Sequence, residues 1–121
     1  MTANRAIGQY GERLAARYLA ERGLEILDRN WRCRDGELDI VARDDAAVVF
    51  CEVKTRSSTD YGYPAEAVDG IKAARIRRLA LAWLADHRSA EGFRPELRFD
   101  VISVVLARRG APSVEHRIGA F

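Results

Sequence analysis

The stretch from Leu97 to Leu106, Leu-Arg-Phe-Asp-Val-Ile-Ser-Val-Val-Leu, is nearly continuous in apolar residues and rich in β-branched ones. A strand of that kind shows hydrophobic side chains to both faces of its sheet, so both faces must be covered. Two helical patterns can supply the cover. From Asn4 to Arg22, Ile7, Tyr10, Leu14 and Tyr18 recur at helical spacing, and Gly23 gives a C-terminal stop. From Ile71 to about Ala90, Ile76, Leu79, Ala80, Trp83 and Leu84 form one stripe, with Asp69 placed as N-cap.

Between the helices lie short β-prone segments. Leu24 to Trp31 reads as a strand closed by the turn Arg34-Asp35-Gly36, Glu37 to Arg43 as a second and Val48 to Lys54 as a third, with Asp44-Asp45 turning between the last two. Thr55 to Pro64 is polar and reads as a loop, and Val114 to Ile118 as a final edge strand after Gly110 and Pro112. The predicted fold is α/β: an α-β-β-β-α-β core with a mixed central sheet flanked by helices. With 121 residues, 48% of them hydrophobic, the chain falls in the single-domain range of roughly 100–200 residues. One domain over 1–121 is expected, without an internal repeat or linker.

The formal charge of +2 is too small to mark a nucleic-acid binder by itself. Arrangement has to carry that information. All but two of the 20 basic residues are arginine, and the lysines stand at Lys54 and Lys72. Cys33 and Cys51 have neither metal-ligand spacing nor a disulfide pattern. With no apolar signal core and no membrane-length apolar run, the expected location is cytoplasmic, away from any membrane.

Along the third strand Glu52 and Lys54 project from one face with Val48 and Phe50. Across the hairpin, Asp39 is expected on one face with Glu37 and Val41. A loop from Asp44 to Ala47 pairs Arg43 with Val48 and sets Asp39 opposite Glu52. A two-residue loop shifts the pairing but keeps both acids on one face, and an odd-length loop separates them. Like charges so opposed destabilise a sheet. Protonation, a cation such as Lys54, or a hard divalent metal between the oxygens would offset the repulsion. An isolated Glu-X-Lys is common as a solvated strand pair, and the hairpin partner is what gives this one weight.

Glu12 borders the apolar stripe of the first helix, stacked over Gly8 and Ala16 without a basic neighbour at i±3 or i±4. Gly8 and Gly11 each cost a helix roughly 1 kcal/mol against alanine, which makes sense where another element approaches closely. Lys72, Arg75, Arg77 and Arg78 load the first turns of the second helix with charge its dipole disfavours. A phosphate backbone would reward that charge, and an ordinary solvated face accounts for it equally well. His87 and His116 read as structural, Asp100 as a carboxylate paired with Arg98 or supporting a site, and Ser57 and Ser58 lack any serine-hydrolase pattern.

Gly36-Glu37-Leu38-Asp39 followed by Phe50-Cys51-Glu52-Val53-Lys54-Thr55-Arg56 resembles the PD-(D/E)XK nuclease superfamily. The whole chain is similar to the bacterial YraN family of predicted endonucleases, through Gly8-Gln9-Tyr10-Gly11-Glu12, Asn30-Trp31-Arg32, Lys72, Arg98-Phe99-Asp100-Val101 and Gly119-Ala120-Phe121. That family is similar in turn to archaeal Holliday junction resolvases. Leu38 stands where the superfamily name has proline. The resemblance implies metal-dependent hydrolysis of phosphodiesters, with Asp39, Glu52 and the Val53 carbonyl as ligands of Mg²⁺ or Mn²⁺. It implies that Lys54 orients the attacking water or stabilises phosphate charge, and that Glu12 assists through a water or a second metal. Arg56, Lys72, Arg75, Arg77 and Arg78 are the expected nucleic-acid contacts.

Three functions follow: a Mg²⁺-dependent endonuclease acting on DNA, including branched or repair intermediates; a non-catalytic nucleic-acid-binding module; and a protein-interaction domain on the same scaffold. Intact acidic and lysine positions favour the first. A homodimer would suit symmetric junction cleavage.

Overall fold

The structure, a computed structural model, describes residues 2–45, 47–57, 68–87 and 95–121, with the side chains of 2–4 excepted. Its elements are α1 (Thr2–Glu21), β1 (Glu25–Cys33), β2 (Gly36–Asp44), β3 (Ala47–Ser57), α2 (Gly70–His87), β4 (Glu96–Leu106) and β5 (Ser113–Arg117). The loop expected through Pro64 beyond Ser57, Ser58 itself, and the expected helical end at Ala90 lie outside the described residues.

The helix ends form where local chemistry sets them. Asp69 caps α2, its Oδ1 accepting from the Lys72 amide at 2.8 Å and its carbonyl from the Ala73 amide at 2.8 Å. At the end of α1, Gly23 takes φ 91°. The Leu24 amide donates to the Leu19 carbonyl at 3.1 Å and the Gly23 amide to that of Ala20 at 3.0 Å, a Schellman closure.

The five strands lie in sequence order in one sheet. Only β3 and β4 run parallel, because α2 lies in the connection between them. Helix α1 covers one face, with Ala15 and Leu19 over Ile40, Val49 and Ile102. Helix α2 covers the other, with Ile76, Leu79 and Trp83 over Val41, Phe50 and Phe99. The interior strand β4 is buried from Phe99 to Val104, as its apolar run requires. Strand β3 runs three residues past the expected end at Lys54, so Thr55 is strand and not loop. Its neighbour β4 continues beside it and pairs through Ser57↔Leu106, which satisfies a backbone whose polar sequence gave no strand signal.

Beneath α1, the fully buried Asp100 anchors the far part of the sheet. Arg98 grips it with Nε on Oδ1 at 3.0 Å and Nη2 on Oδ2 at 2.9 Å, while Nη1 reaches Asp44 Oδ2 at 2.9 Å. His116 Nε2 stands 2.7 Å from Oδ2, and the Gly119 amide donates to Oδ1 at 3.0 Å. Burial by itself would raise this carboxyl, and the hydrogen bonds from His116, Arg98 and Gly119 outweigh it and hold the carboxyl below its ordinary range. His116 is thereby structural, as the sequence suggested.

The two glycines of α1 differ. A Cβ on Gly11 would collide with the Thr55 side chain, whose Cγ2 would lie 2.7 Å away, so α1 and β3 touch here through a bare Cα. Gly8 meets nothing within 4 Å, and the close approach expected there is absent. Gly11→Ala should destabilise the protein by about 1–3 kcal/mol, the usual cost of overpacking. Gly8→Ala should stabilise it by up to about 1 kcal/mol through helix propensity. Urea midpoints at unchanged m-value measure both, and equal effects at the two positions would contradict the contact with Thr55.

Candidate metal centre

Strands β2 and β3 pair in the register expected from the sequence, Arg43↔Val48 through Ile40↔Cys51, and there the pairing stops. Beyond that point β2 stays with β1 as far as Cys33↔Gly36, while β3 stays with β4. The sheet forks, and Asp39 and Glu52 are the residues just past its last rung. The Val53 amide, which has lost its ladder partner, donates instead to Asp39 Oδ2 at 2.9 Å.

Side-chain alternation breaks at the same place. Leu38 and Val41 pack in the α2 layer, whereas Ile40 and Ala42 pack in the α1 layer. One residue between them is therefore out of step, and it is Asp39. The matching position on β1, Asn30, takes φ 51°, a left-handed conformation that asparagine tolerates. The expectation that Asp39 shares a face with Val41 and stands squarely opposite Glu52 is thus corrected. Asp39 turns toward α1, where Glu12, Glu37 and Asp39 bring carboxylate oxygens within 4.8 Å of one another.

Glu52 follows Phe50 on the α2 side, where Lys72 Nζ lies 2.6 Å from its Oε1. Asp39 therefore sits between two groups, Glu12 and Glu37 on one side of the fork and the Glu52–Lys72 pair on the other. Burial first and the Glu52 carboxylate second push the Asp39 carboxyl up to about 8 against the Val53 hydrogen bond, with Glu12 and Glu37 adding to the push. Burial also raises Glu12; a hydrogen bond from Asn30 opposes the shift and the Glu37 charge adds to it. Three hard oxygen donors around a carboxyl that resists ionisation form a site deficient in positive charge, the donor chemistry that suits Mg²⁺ or Mn²⁺.

The other expected site residues are less concentrated. Lys54 is half-buried on the open arm of β3, with no ion pair among the described residues. Arg56, further along the same arm, has interaction partners of its own. Val53 contributes its amide to Asp39. Lys72, expected at phosphate, is held by Glu52. Arg75, Arg77 and Arg78 are exposed on α2, and Arg77 lies 4.5 Å over the Phe99 ring, partly a packing role.

Two residues of the cluster were given no role from the sequence. Strand periodicity set Glu37 on one face with Asp39, and the structure keeps the two acids together. Asn30 carried no local signal, because its contact with Glu12 arises only when β1 passes under α1.

A mixed sheet covered on both faces and split over clustered carboxylates defines an α/β protein with a group of acidic side chains at its fork. The chain belongs to the uncharacterised protein family UPF0102, whose profile matches residues 11–104. It is 57% identical over 121 residues to a UPF0102 protein of Parafrankia sp. (strain EAN1pec) and 59% over 121 residues to one of Frankia casuarinae, each pairing covering 100% of both chains. A UPF0102 protein of Beutenbergia cavernae is 56% identical over 119 residues, 98% of each chain.

The raised Asp39 carboxyl has a pH signature. A group whose pKa is higher folded than unfolded stabilises most below its unfolded value and loses that contribution as pH rises through the folded one. In chelator, the melting-temperature advantage of Asp39→Asn over wild type should widen from about pH 4, the ordinary carboxyl range, to the folded value of about 8, and level off above it. An advantage independent of pH would mean that Asp39 ionises normally.

Proposed function

We propose that the chain is a metal-dependent endonuclease that hydrolyses DNA phosphodiester bonds, with branched or repair intermediates as its substrates. The observation that carries this reading is the fork, where Asp39 meets Glu12 and Glu37 on one side and Glu52 on the other. Asp39, Glu52 and the Val53 carbonyl would hold Mg²⁺ or Mn²⁺, which when bound acts as a Lewis acid and lowers the pKa of its water. Asp39 is oriented for this by the Val53 amide, which fixes one carboxylate oxygen and leaves the other for a ligand. Lys54, two residues beyond Glu52 on the same strand, supplies a compact positive charge to orient the attacking water or meet developing phosphate charge. Glu12, hydrogen-bonded by Asn30, would assist from the α1 side through a water or a second metal. No helix among the described residues is long and apolar enough to cross a membrane. A cytoplasmic protein acting as a homodimer on symmetric junctions is consistent with this reading.

The test is cleavage of linear, single-stranded and four-way-junction DNA with Mg²⁺ or Mn²⁺, beside Asp39→Ala. Cleavage that requires the metal and Asp39 is expected; its absence on every substrate overturns the reading. Lys54→Ala should abolish cleavage while leaving metal affinity intact, and Lys54→Arg should rescue it poorly because a planar fork cannot occupy the same point. Full activity in Lys54→Ala would remove the lysine from the chemistry.

The Glu52–Lys72 pair favours a second reading, a non-catalytic nucleic-acid-binding module, because a 2.6 Å ion pair occupies the carboxylate that a metal would need. The two readings separate on Lys72→Gln. If Glu52 serves a metal, that variant should bind Mn²⁺ several-fold more tightly than wild type by titration calorimetry, since no ion pair has to break. Unchanged affinity would mean that Glu52 serves only Lys72.

A further inference from the structure

Two cavities open on the α1 side of the fork, of about 500 Å³ and about 410 Å³, and both are lined by Gln9, Glu12 and Asn30. Sharing these residues, they form one groove between α1 and β1. Arg5 and Arg32 line the first cavity and Arg13 and Arg29 the second. All four arginines are exposed. Arg32 is tied to Glu37, Nε to Oε2 at 3.0 Å, whereas Arg5, Arg13 and Arg29 make no ion pair among the described residues. Arg13 is held 5.7 Å over the Tyr10 ring, a contact with the ring's π face.

The chain as a whole carries a formal charge of only +2. Exposed arginines stand on other elements too, and what sets these four apart is that they line one groove beside the carboxylates. The amide side chains of Gln9 and Asn30 add neutral hydrogen-bonding groups to its lining. Guanidinium forks at spaced positions with amide donors between them suit the repeating oxygens of a phosphodiester strand. The arginines of α2 offer charge too, but on the opposite layer of the sheet, and neither of these cavities is lined by them. The groove is lined by Glu12 and Glu37 themselves, so a strand lying in it passes the carboxylate cluster.

We infer that the groove between α1 and β1 is the track of one phosphodiester strand, held by Arg5, Arg13, Arg29 and Arg32 and delivered by them to the fork. The inference rests on the nucleic-acid reading above and moves the principal phosphate contacts from α2 to the opposite layer.

Binding of fluorescein-labelled duplex DNA, followed by anisotropy in Ca²⁺ over a series of salt concentrations, tests it without requiring cleavage. The variants are Arg13→Gln/Arg29→Gln, the triple replacement of Arg75, Arg77 and Arg78 by glutamine, and Arg108→Gln/Arg109→Gln as a charge control at exposed positions after β4. The groove variant should lower the slope of log affinity against log salt by about 0.9 per lost contact, or about 0.7 on a single strand. The control should leave the slope at the wild-type value, and melting temperatures should match throughout. An unchanged slope in the groove variant, or a loss confined to the α2 triple, overturns the inference while leaving the nuclease reading standing. Competition by polyglutamate as strong as by DNA also overturns it, by showing a surface for any polyanion. If the wild type binds DNA in the groove but never cuts it, the track stands and the endonuclease reading falls. If the wild type does not bind nucleic acid, both fall.

Discussion

The hydrogen bond from the Val53 amide to Asp39 Oδ2 is the point on which the arrangement of this molecule turns. Parting two strands leaves backbone donors and acceptors without ladder partners, and a buried donor left so costs about 1–3 kcal/mol. Here the carboxylate that benefits from the parting also supplies the missing acceptor. The fork is thereby stable, and Asp39 is fixed in the one orientation that brings it to Glu12 and Glu37. The same burial that makes the bond effective disfavours the charge on Asp39, so the site has positive charge to gain.

The fork needs rigid arms, and both have them. The β2 arm is held to β1 through the tight turn at Arg34 and Asp35, with Gly36 at φ 145° against Leu79 of α2. The β3 arm is held by its parallel pairing with β4, and at the other end Arg98 ties Asp44 to the buried Asp100. Asp100 and Asp39 are both partly or wholly buried carboxylates with opposite fates. Asp100 has a guanidinium, an imidazole and an amide to answer its charge, whereas the neighbours of Asp39 are mostly other acids. One is a structural anchor because its charge is matched; the other resists ionisation because its charge is not.

Lys72 shows how the two layers meet. Its place in the first turn of α2 sets it against the helix dipole, and Glu52 offsets that cost from across the fork. The sequence shows the misplaced charge but not its partner, and phosphate was the natural expectation. A carboxylate twenty residues away in the chain cannot be paired with a helical lysine without knowing which layer the helix covers.

Element order and the hairpin register were determined by the sequence, because periodicity, turn residues and loop length act between near neighbours. The two carboxylates Asp39 and Glu52 were expected face to face, and the sequence could carry the argument no further than that, since alternation assumes an unbroken sheet. Tertiary structure decided the rest: where β2 leaves β3, which residue falls out of step, that Glu37 and Asn30 join Glu12, that Lys72 answers Glu52, and that arginines from α1 and β1 share a groove. Each of these depends on a competition for backbone and charge partners between strands and helices far apart in the chain, and such a competition is resolved only when all of them are packed together.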